Sequence, residues 1–279
     1  LLDMEHALSV SDTYWLKANH EKITWAQVNF YQHSYDQSGF GKAMFSSLNS
    51  EFSSSVLHTP NNCTCGYHRK AWFKRNGTLY LLKGGSPFYQ QEPVNEWLAS
   101  RIAQELGLYA VPYTTETYEN NIVSVCPNMC KGKLDLVTSE YVLSDTGAPE
   151  DVFQYSHYVK TLEEHGVPNV RKALSDQFLM DYLLMNTDRH TQNMGILVDA
   201  NTNQWVKCAP IFDTGTGLGC LKSDDEIPTT INDKTYRMMN IKNIYYDQLL
   251  DLIDLKKYDF TDMLTFELKR ASKPDRLEN

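Results

Sequence analysis

The most restrictive feature of this sequence is a polar stretch, Asn186-Thr187-Asp188-Arg189-His190-Thr191-Gln192-Asn193, held between two strongly patterned segments. Before it, Leu174, Phe178, Leu179, Tyr182 and Leu183 recur at i, i+4, i+5, i+8 and i+9. That is one apolar stripe, and it predicts a helix over Val170–Met185. After it, Met194–Val198 and Trp205–Cys208 read as two short strands. A polar stretch pinned in this way is a fixed loop. Beyond the strands, Ala209-Pro210-Ile211-Phe212-Asp213-Thr214-Gly215-Thr216-Gly217 carries an aspartate out of an apolar pair into glycines that let the backbone turn.

The first half of the chain has a different texture. Short β segments begin near residue 54. Ala71-Trp72-Phe73 and Leu79-Tyr80-Leu81-Leu82 flank Asn76-Gly77, a hairpin signal. Gly84-Gly85-Ser86-Pro87 breaks the strand, and a helix is predicted from Pro93 to Leu106, with Pro in its first turn and Gly107 at its end. Val111–Val125 reads as a second hairpin around Asn120-Asn121, and Thr138–Leu143 as a further short β run. Ser144–Glu150 has the composition of a linker. Helices are expected over Val152–His165 and again in the last fifty residues, notably Tyr246–Leu255 and Phe260–Ala271. The aromatic residues Tyr14, Trp15, Trp25 and Phe30 mark the start of the chain as a segment that packs on a domain rather than a free tail. The expectation is an α+β, two-lobed fold. Residues 1–50 are an N-terminal segment packing on the first lobe, 51–143 a β-rich lobe with one helix, and 144–279 a mostly helical lobe. The cleft between the lobes is the natural ligand site.

Asp188 and Asn193 have the Asp-x-x-x-x-Asn spacing of kinase catalytic loops. A carboxylate beside an attacking hydroxyl can orient it and accept its proton. An amide oxygen a few residues on can bind Mg²⁺ without adding negative charge near phosphates. Asp213 then supplies a second Mg²⁺ ligand. Lys83 ends an apolar strand, where it can reach ATP phosphates as a point charge. Glu96, on the next helix, can pair with it, and Glu92 competes for that role. Taken singly, Asp188 reads as a turn residue, Asp213 as a helix cap and Lys83 as a strand-end surface residue. Their order along the chain is what argues for a site.

The stretches Tyr80–Gly85, Gln91–Leu98, Asn186–Asn193 and Pro210–Asp213 together resemble the HipA-like bacterial serine/threonine kinases, in particular their small CtkA-type members. Leu8–Trp15 and Trp25–Phe30 are similar to the leader of the same group. The resemblance implies a protein-kinase-like, HipA-like fold. It implies Asp188 as catalytic base, Asn193 and Asp213 as Mg²⁺ ligands, and Lys83 as the phosphate-contacting lysine partnered by Glu96. His190 and Arg189 belong to the loop, with a structural hydrogen bond as the competing role for each, and Asp181 reads as an anchor. The implied reaction is transfer of the γ-phosphate of ATP to Ser or Thr hydroxyls of a protein, with autophosphorylation and with Tyr left open as an acceptor. The chain departs from the family before Lys83. Thr59–Lys70 has a single glycine, Gly66, and no Gly-x-Gly-x-x-Gly; Gly66 and Lys70 are the candidates there for contact with the nucleotide. Ser53, Ser54, Ser55, Thr59 and Thr64 crowd this region as candidate autophosphorylation sites.

The formal charge of −9 argues against broad binding to nucleic acid or anionic membranes. The basic run His68, Arg69, Lys70, Lys74 and Arg75 is a local exception. Cys63 and Cys65, and Cys126 and Cys130, raise the question of zinc, but the first spacing is too tight and no His-x₃₋₅-His follows. Reduced thiols in a cytosolic enzyme are the expectation. No stretch approaches a membrane span, and the start does not read as a secretory signal. Cytoplasmic location is expected, with a secreted effector role left open, and the expected partners are ATP and a protein substrate, with room for an antitoxin-like or regulatory protein. A lipid kinase, a nucleotide-binding pseudokinase and a nucleotidyl transferase are the competing readings.

Overall fold

The first described elements are two short helices, α1 (Trp25–Val28) and α2 (Phe40–Phe45), and then the chain is turned back on itself at Asn76-Gly77. Both turn residues have positive φ, 48° and 78°, as a type I′ turn requires. The turn joins β1 (Lys70–Arg75) to β2 (Thr78–Gly84), with Lys70 opposite Lys83. This is a computed structural model, and it describes residues 6–33, 40–45, 59–63, 68–87, 90–146, 154–221, 235–238, 242–245 and 253–258.

Helix α3 (Glu92–Glu105) follows, with Pro93 in its first turn. A second hairpin, β3 (Thr114–Tyr118) and β4 (Asn121–Pro127), turns through Glu119-Asn120 at φ 46° and 61°, one residue earlier than expected. The sheet order is β1-β2-β4-β3. Strand alternation gives this sheet two faces. Ala71, Leu82, Val123 and Val125 pack against Phe45 of α2, while Lys83 and its cross-strand neighbour Ser124 turn toward α3.

The second sheet is β5 (Leu134–Thr138), β6 (Gly195–Asp199) and β7 (Trp205–Cys208), antiparallel in that order. Helices α4 (Ser139–Asp145), α5 (Gln154–Glu164) and α6 (Val170–Leu184) cover it. Phe178, Leu162 and Ile196 are each fully buried in the core they share. Helix α6 stops at Leu184, because Met185 takes a left-handed conformation (φ 49°) that swings the chain into Asn186.

Three expectations need correction. Thr138–Leu143 is not a strand. Thr138 is the last extended residue of β5, and Ser139 starts α4, whose Val142 and Leu143 bury against the α5–α6 core. Because β5 pairs with β6 and α4 shares that core, the expected division at 143/144 falls inside an element of the second lobe. The last fifty residues also contain a hairpin, β8 (Thr235–Met238) and β9 (Lys242–Tyr245), and a 3₁₀ turn at Leu255–Lys257. The β-branched and aromatic residues Thr235, Tyr236, Ile244 and Tyr245 favour strands locally. Most of the helix expected over Tyr246–Leu255, and all of that over Phe260–Ala271, lies outside the described residues. Among the described residues no helix is long and apolar enough to cross a membrane.

The start of the chain is stitched to both lobes. Leu8, Val10 and Phe30 bury beside Leu79 of β2, and Lys74 Nζ donates to the Tyr31 carbonyl at 2.6 Å. On the other side, Leu136 N–H donates to the Ser11 carbonyl at 2.8 Å and Thr13 Oγ1 to Asp135 Oδ2 at 3.1 Å. Asn128, between β4 and β5, joins these contacts. Its N–H donates to Leu79, its Nδ2 to the Val10 carbonyl at 2.7 Å, and its Oδ1 accepts from Cys130 N–H at 2.9 Å. Asn128→Ala strands a buried carbonyl and a buried N–H, so it is expected to destabilise the chain by about 2–4 kcal/mol. Chemical denaturation checks this, with exposed Asn201→Ala as the near-neutral control.

Candidate active site

Three elements converge on one buried ammonium. Strand β2 delivers Lys83 (6% exposed) and α3 delivers Glu96 (1% exposed). Asp213 arrives on the segment after β7. That segment is fixed because Ile211 N–H donates to Tyr109 and Val111 N–H to Ile211, each at 2.9 Å. Asp213 itself has φ 53°, a left-handed conformation that Asp tolerates better than most residues but that needs support from its surroundings. Lys83 Nζ donates to Asp213 Oδ1 at 2.5 Å and also to Glu96 Oε1. Glu96 Oε2 in turn accepts from Ser124 Oγ.

Each charge in this triad acts on the other two. Burial opposes the Lys83 ammonium, but the Asp213 and Glu96 carboxylates outweigh it and hold the lysine above its ordinary range. Burial also opposes ionisation of Asp213, yet Lys83, then Lys70, hold its carboxyl well below the usual range. Glu96 is pushed up, by burial first and then by the neighbouring Asp213 charge, against the pull of Lys83.

The loop after α6 is built around Arg189, which is 0% exposed. Its Nε and Nη2 make a two-pronged pair with the Asp181 carboxylate, each bond 2.9 Å. Its Nη1 donates to the Phe212 carbonyl at 2.9 Å and to the Asn193 carbonyl. Arg189 thus ties the loop to the residue before Asp213. Asn186 Nδ2 donates to Asp181 Oδ1 at 2.7 Å, and its Oδ1 accepts from Asp188 N–H at 3.1 Å. Asn193 Nδ2 donates to the Asp188 carbonyl at 3.1 Å and lies 3.0 Å from His190 Nε2. The half-buried Asp188 carboxylate sits 3.8 Å from that same His190 nitrogen.

Lys83, Glu96 and Asp213 share a cleft with His68, Gly84, Glu92, Gly215 and Thr216. Glu92 is not the partner of Lys83; its Oε2 accepts from Ser86 N–H at 3.0 Å. Lys70 heads β1 opposite Lys83 and acts on Asp213 through its charge. Gly66, Ser53, Ser54, Ser55, Thr64 and Cys65 lie outside the described residues. Thr59 is buried, and its hydroxyl accepts from Asn61 N–H and Nδ2 at 3.3 and 3.0 Å, so it is not presented as an acceptor of phosphate. Sequence reasoning passed over Asn95 and Ser124. Asn95 stands beside Glu96 and could have been flagged by that neighbour, whereas Ser124 has no local signal because its role depends on strand register. Among the described residues no three His, Cys, Asp or Glu side chains come together as a metal site. Burial pushes the Cys126, Cys130 and Cys220 thiols up to about 12, and Cys208 to about 11, so these are unreactive core thiols.

A β-rich lobe that carries α3, a mostly helical lobe, and a lysine held by two carboxylates at their junction define a protein-kinase-like fold. Residues 63–262 match the HipA-like C-terminal domain, and the chain belongs to that family. It is 28% identical over 185 residues to the serine/threonine-protein kinase CtkA of Helicobacter pylori, across 61% of this chain and 54% of that protein. The chain therefore spans about half the length of this curated relative. The crystal structure of the H. pylori proinflammatory kinase CtkA matches with a TM-score of 0.54 and 23% identity, covering 70% of this chain and 74% of that one. A Shewanella oneidensis HipA, solved with HipB and operator DNA, matches with a TM-score of 0.41 and 15% identity over 54% of this chain and 43% of that one.

The charges of the triad set two expected pH limbs. Asp213 is depressed below its ordinary 3.8, so its contribution to stability is present above that value and lost as pH falls through the lower folded one. Lys83 is raised above 10.5, so its contribution is present below that value and lost as pH rises through the higher folded one. Glu96 has the opposite sign in acid, so the acid limb is read as the difference between the parent chain and Asp213→Asn. That difference is expected to be flat at neutral pH and to shrink below pH 3.8, while the difference from Lys83→Met shrinks above 10.5 and also in acid, as the Asp213 and Glu96 carboxylates that hold the lysine take up protons. Arg189→Met leaves the Asp181 carboxylate buried without its cation and is expected to cost about 3–5 kcal/mol, read by thermal or urea denaturation.

Proposed function

We propose that this chain is an ATP- and Mg²⁺-dependent protein kinase acting on Ser and Thr hydroxyls, its own included. The observation that carries this reading is the simultaneous pairing of Lys83 with Glu96 and Asp213, from three separate elements, beside a loop that Arg189 fastens to Phe212. The donor chemistry fits Mg²⁺. Asp213 offers carboxylate oxygens, and Asn193 uses its amide nitrogen within the loop, which leaves its hard amide oxygen for a cation.

Bound Mg·ATP supplies the transferable γ-phosphoryl group. Lys83 steadies the phosphates as a point charge, and Glu96 keeps the lysine at the cleft. Asp213 and Asn193 hold the cation. Asp188, whose half-buried carboxylate is still open to solvent on the loop, orients the acceptor hydroxyl and accepts its proton. His190, beside both Asn193 and Asp188, is a positioning residue. The resemblance to CtkA supports serine or threonine as the acceptor. The net charge of −9 counts against a lipid kinase working at an anionic surface. A pseudokinase reading has no lost residue to rest on, since base, lysine and cation ligands are all present.

Asp188→Asn is expected to bind nucleotide normally and to lose phosphoryl transfer by about 10²–10⁴-fold. Intact mass after incubation with ATP and Mg²⁺ reads the outcome. A phosphate adduct in the parent chain and none in the variant supports the reading, while an AMP adduct indicates nucleotidyl transfer. Equal phosphate on both chains removes Asp188 as the base.

A further inference from the structure

The segment after Asp213 is held from two sides. Asn95 is buried on α3, one residue before Glu96. Its Nδ2 donates to the carbonyls of Gly215 and Gly217, each at 2.9 Å. The carbonyl between them, Thr216, accepts from Thr187 N–H at 3.1 Å on the loop that carries Asp188. Leu218 N–H donates to the Leu184 carbonyl at the end of α6, at 2.7 Å.

The two glycines permit this close passage. A Cβ at Gly217 would come within 2.7 Å of the Leu184 carbonyl oxygen, and one at Gly215 within 3.1 Å of Glu92. Three successive carbonyls are thus anchored alternately to α3 and to the loop. Asp213 lies just upstream in a left-handed conformation that its own side chain does not enforce. Successive residues on a helix point about 100° apart, so α3 can reach Lys83 with Glu96 and the backbone beyond Asp213 with Asn95.

We propose that Asn95 is a positioning residue for phosphoryl transfer: its amide holds Gly215 and Gly217 so that Asp213 stays turned toward Lys83. Helix α3 then sets both ends of the Lys83–Asp213 pair. The proposal rests on the kinase reading. An amide suits the task because its NH₂ offers a proton to each carbonyl. An ionised carboxylate of the same shape offers none and repels both. A protonated one restores a single donor.

The test is therefore Asn95→Asp, compared with the parent chain by hydrogen exchange without nucleotide and by transfer kinetics, across pH. Exchange at 213–220 is expected to quicken in the variant at neutral pH, with α6 unchanged, and to approach the parent again as pH falls. Burial of position 95 and the Glu92 and Glu96 carboxylates of the same helix raise the affinity of the introduced acid for its proton, against the pull of the Lys83 ammonium beside Glu96, which moves this recovery above the ordinary carboxylate range. In the same neutral range kcat is expected to fall about a hundredfold, more than any change in KM for ATP. Parent-like exchange at 213–220 at all pH values overturns the proposal, as does faster exchange with kcat unchanged. A parent chain that transfers no phosphate contradicts the kinase reading alone, and the exchange comparison then decides whether Asn95 holds the segment. Asn95→Leu, which cannot regain a donor, is expected to show the fast exchange without pH recovery; recovery in that variant would also overturn the proposal.

Discussion

A charged ammonium buried to 6% exposure is unfavourable unless it is fully compensated, and everything around Lys83 is arranged to compensate it. One carboxylate comes from α3 and the other from the segment after β7, so the two lobes meet through this nitrogen. The triad then carries a net negative charge with Glu96 and Asp213 ionised. A polyphosphate can approach such a site only together with cations, which is the physical reason the kinase reading requires Mg²⁺ as well as ATP.

A second buried pair supports the first. Asp181 and Arg189 are both fully buried and pair through two bonds, and Nη1 of the guanidinium donates to the Asn193 and Phe212 carbonyls. A buried ion pair is weak evidence for stability, because desolvation of both partners offsets most of their attraction. The value of this one is geometric. It sets the spacing between the loop bearing Asp188 and Asn193 and the segment bearing Asp213, which no single element could fix.

The parts of this arrangement legible in the sequence are those whose physics is local. Asn76-Gly77 demands a tight turn whatever surrounds it, and α3 and α6 declare themselves by periodicity and by their end residues. Asp188, Asn193 and Asp213 are readable because their spacing is short and their order fixed. Lys83 and Glu96 are readable because a strand end and the next helix face each other over a short loop. What could not be read depends on register and packing. Ser124 meets Glu96 only because β4 pairs with β2 in one register. Thr59 looks like a loop hydroxyl in sequence but is buried and used by Asn61. Thr138–Leu143 has residues suited to a strand, and the apolar core of the second lobe makes a helix of most of it. The first residues announce by their aromatics that they pack, but not that they join both lobes through Ser11 and Asn128.

The most direct measurement is calorimetric titration of ATP, with Mg²⁺ and with EDTA, into the intact chain and into Asp213→Asn. If the Lys83–Asp213 junction is where Mg·ATP docks, Mg²⁺ strengthens binding markedly in the parent chain and changes it little in the variant. The same gain from Mg²⁺ in both proteins, or none in either, would contradict Asp213 as a ligand of the cation and with it the kinase reading of the cleft.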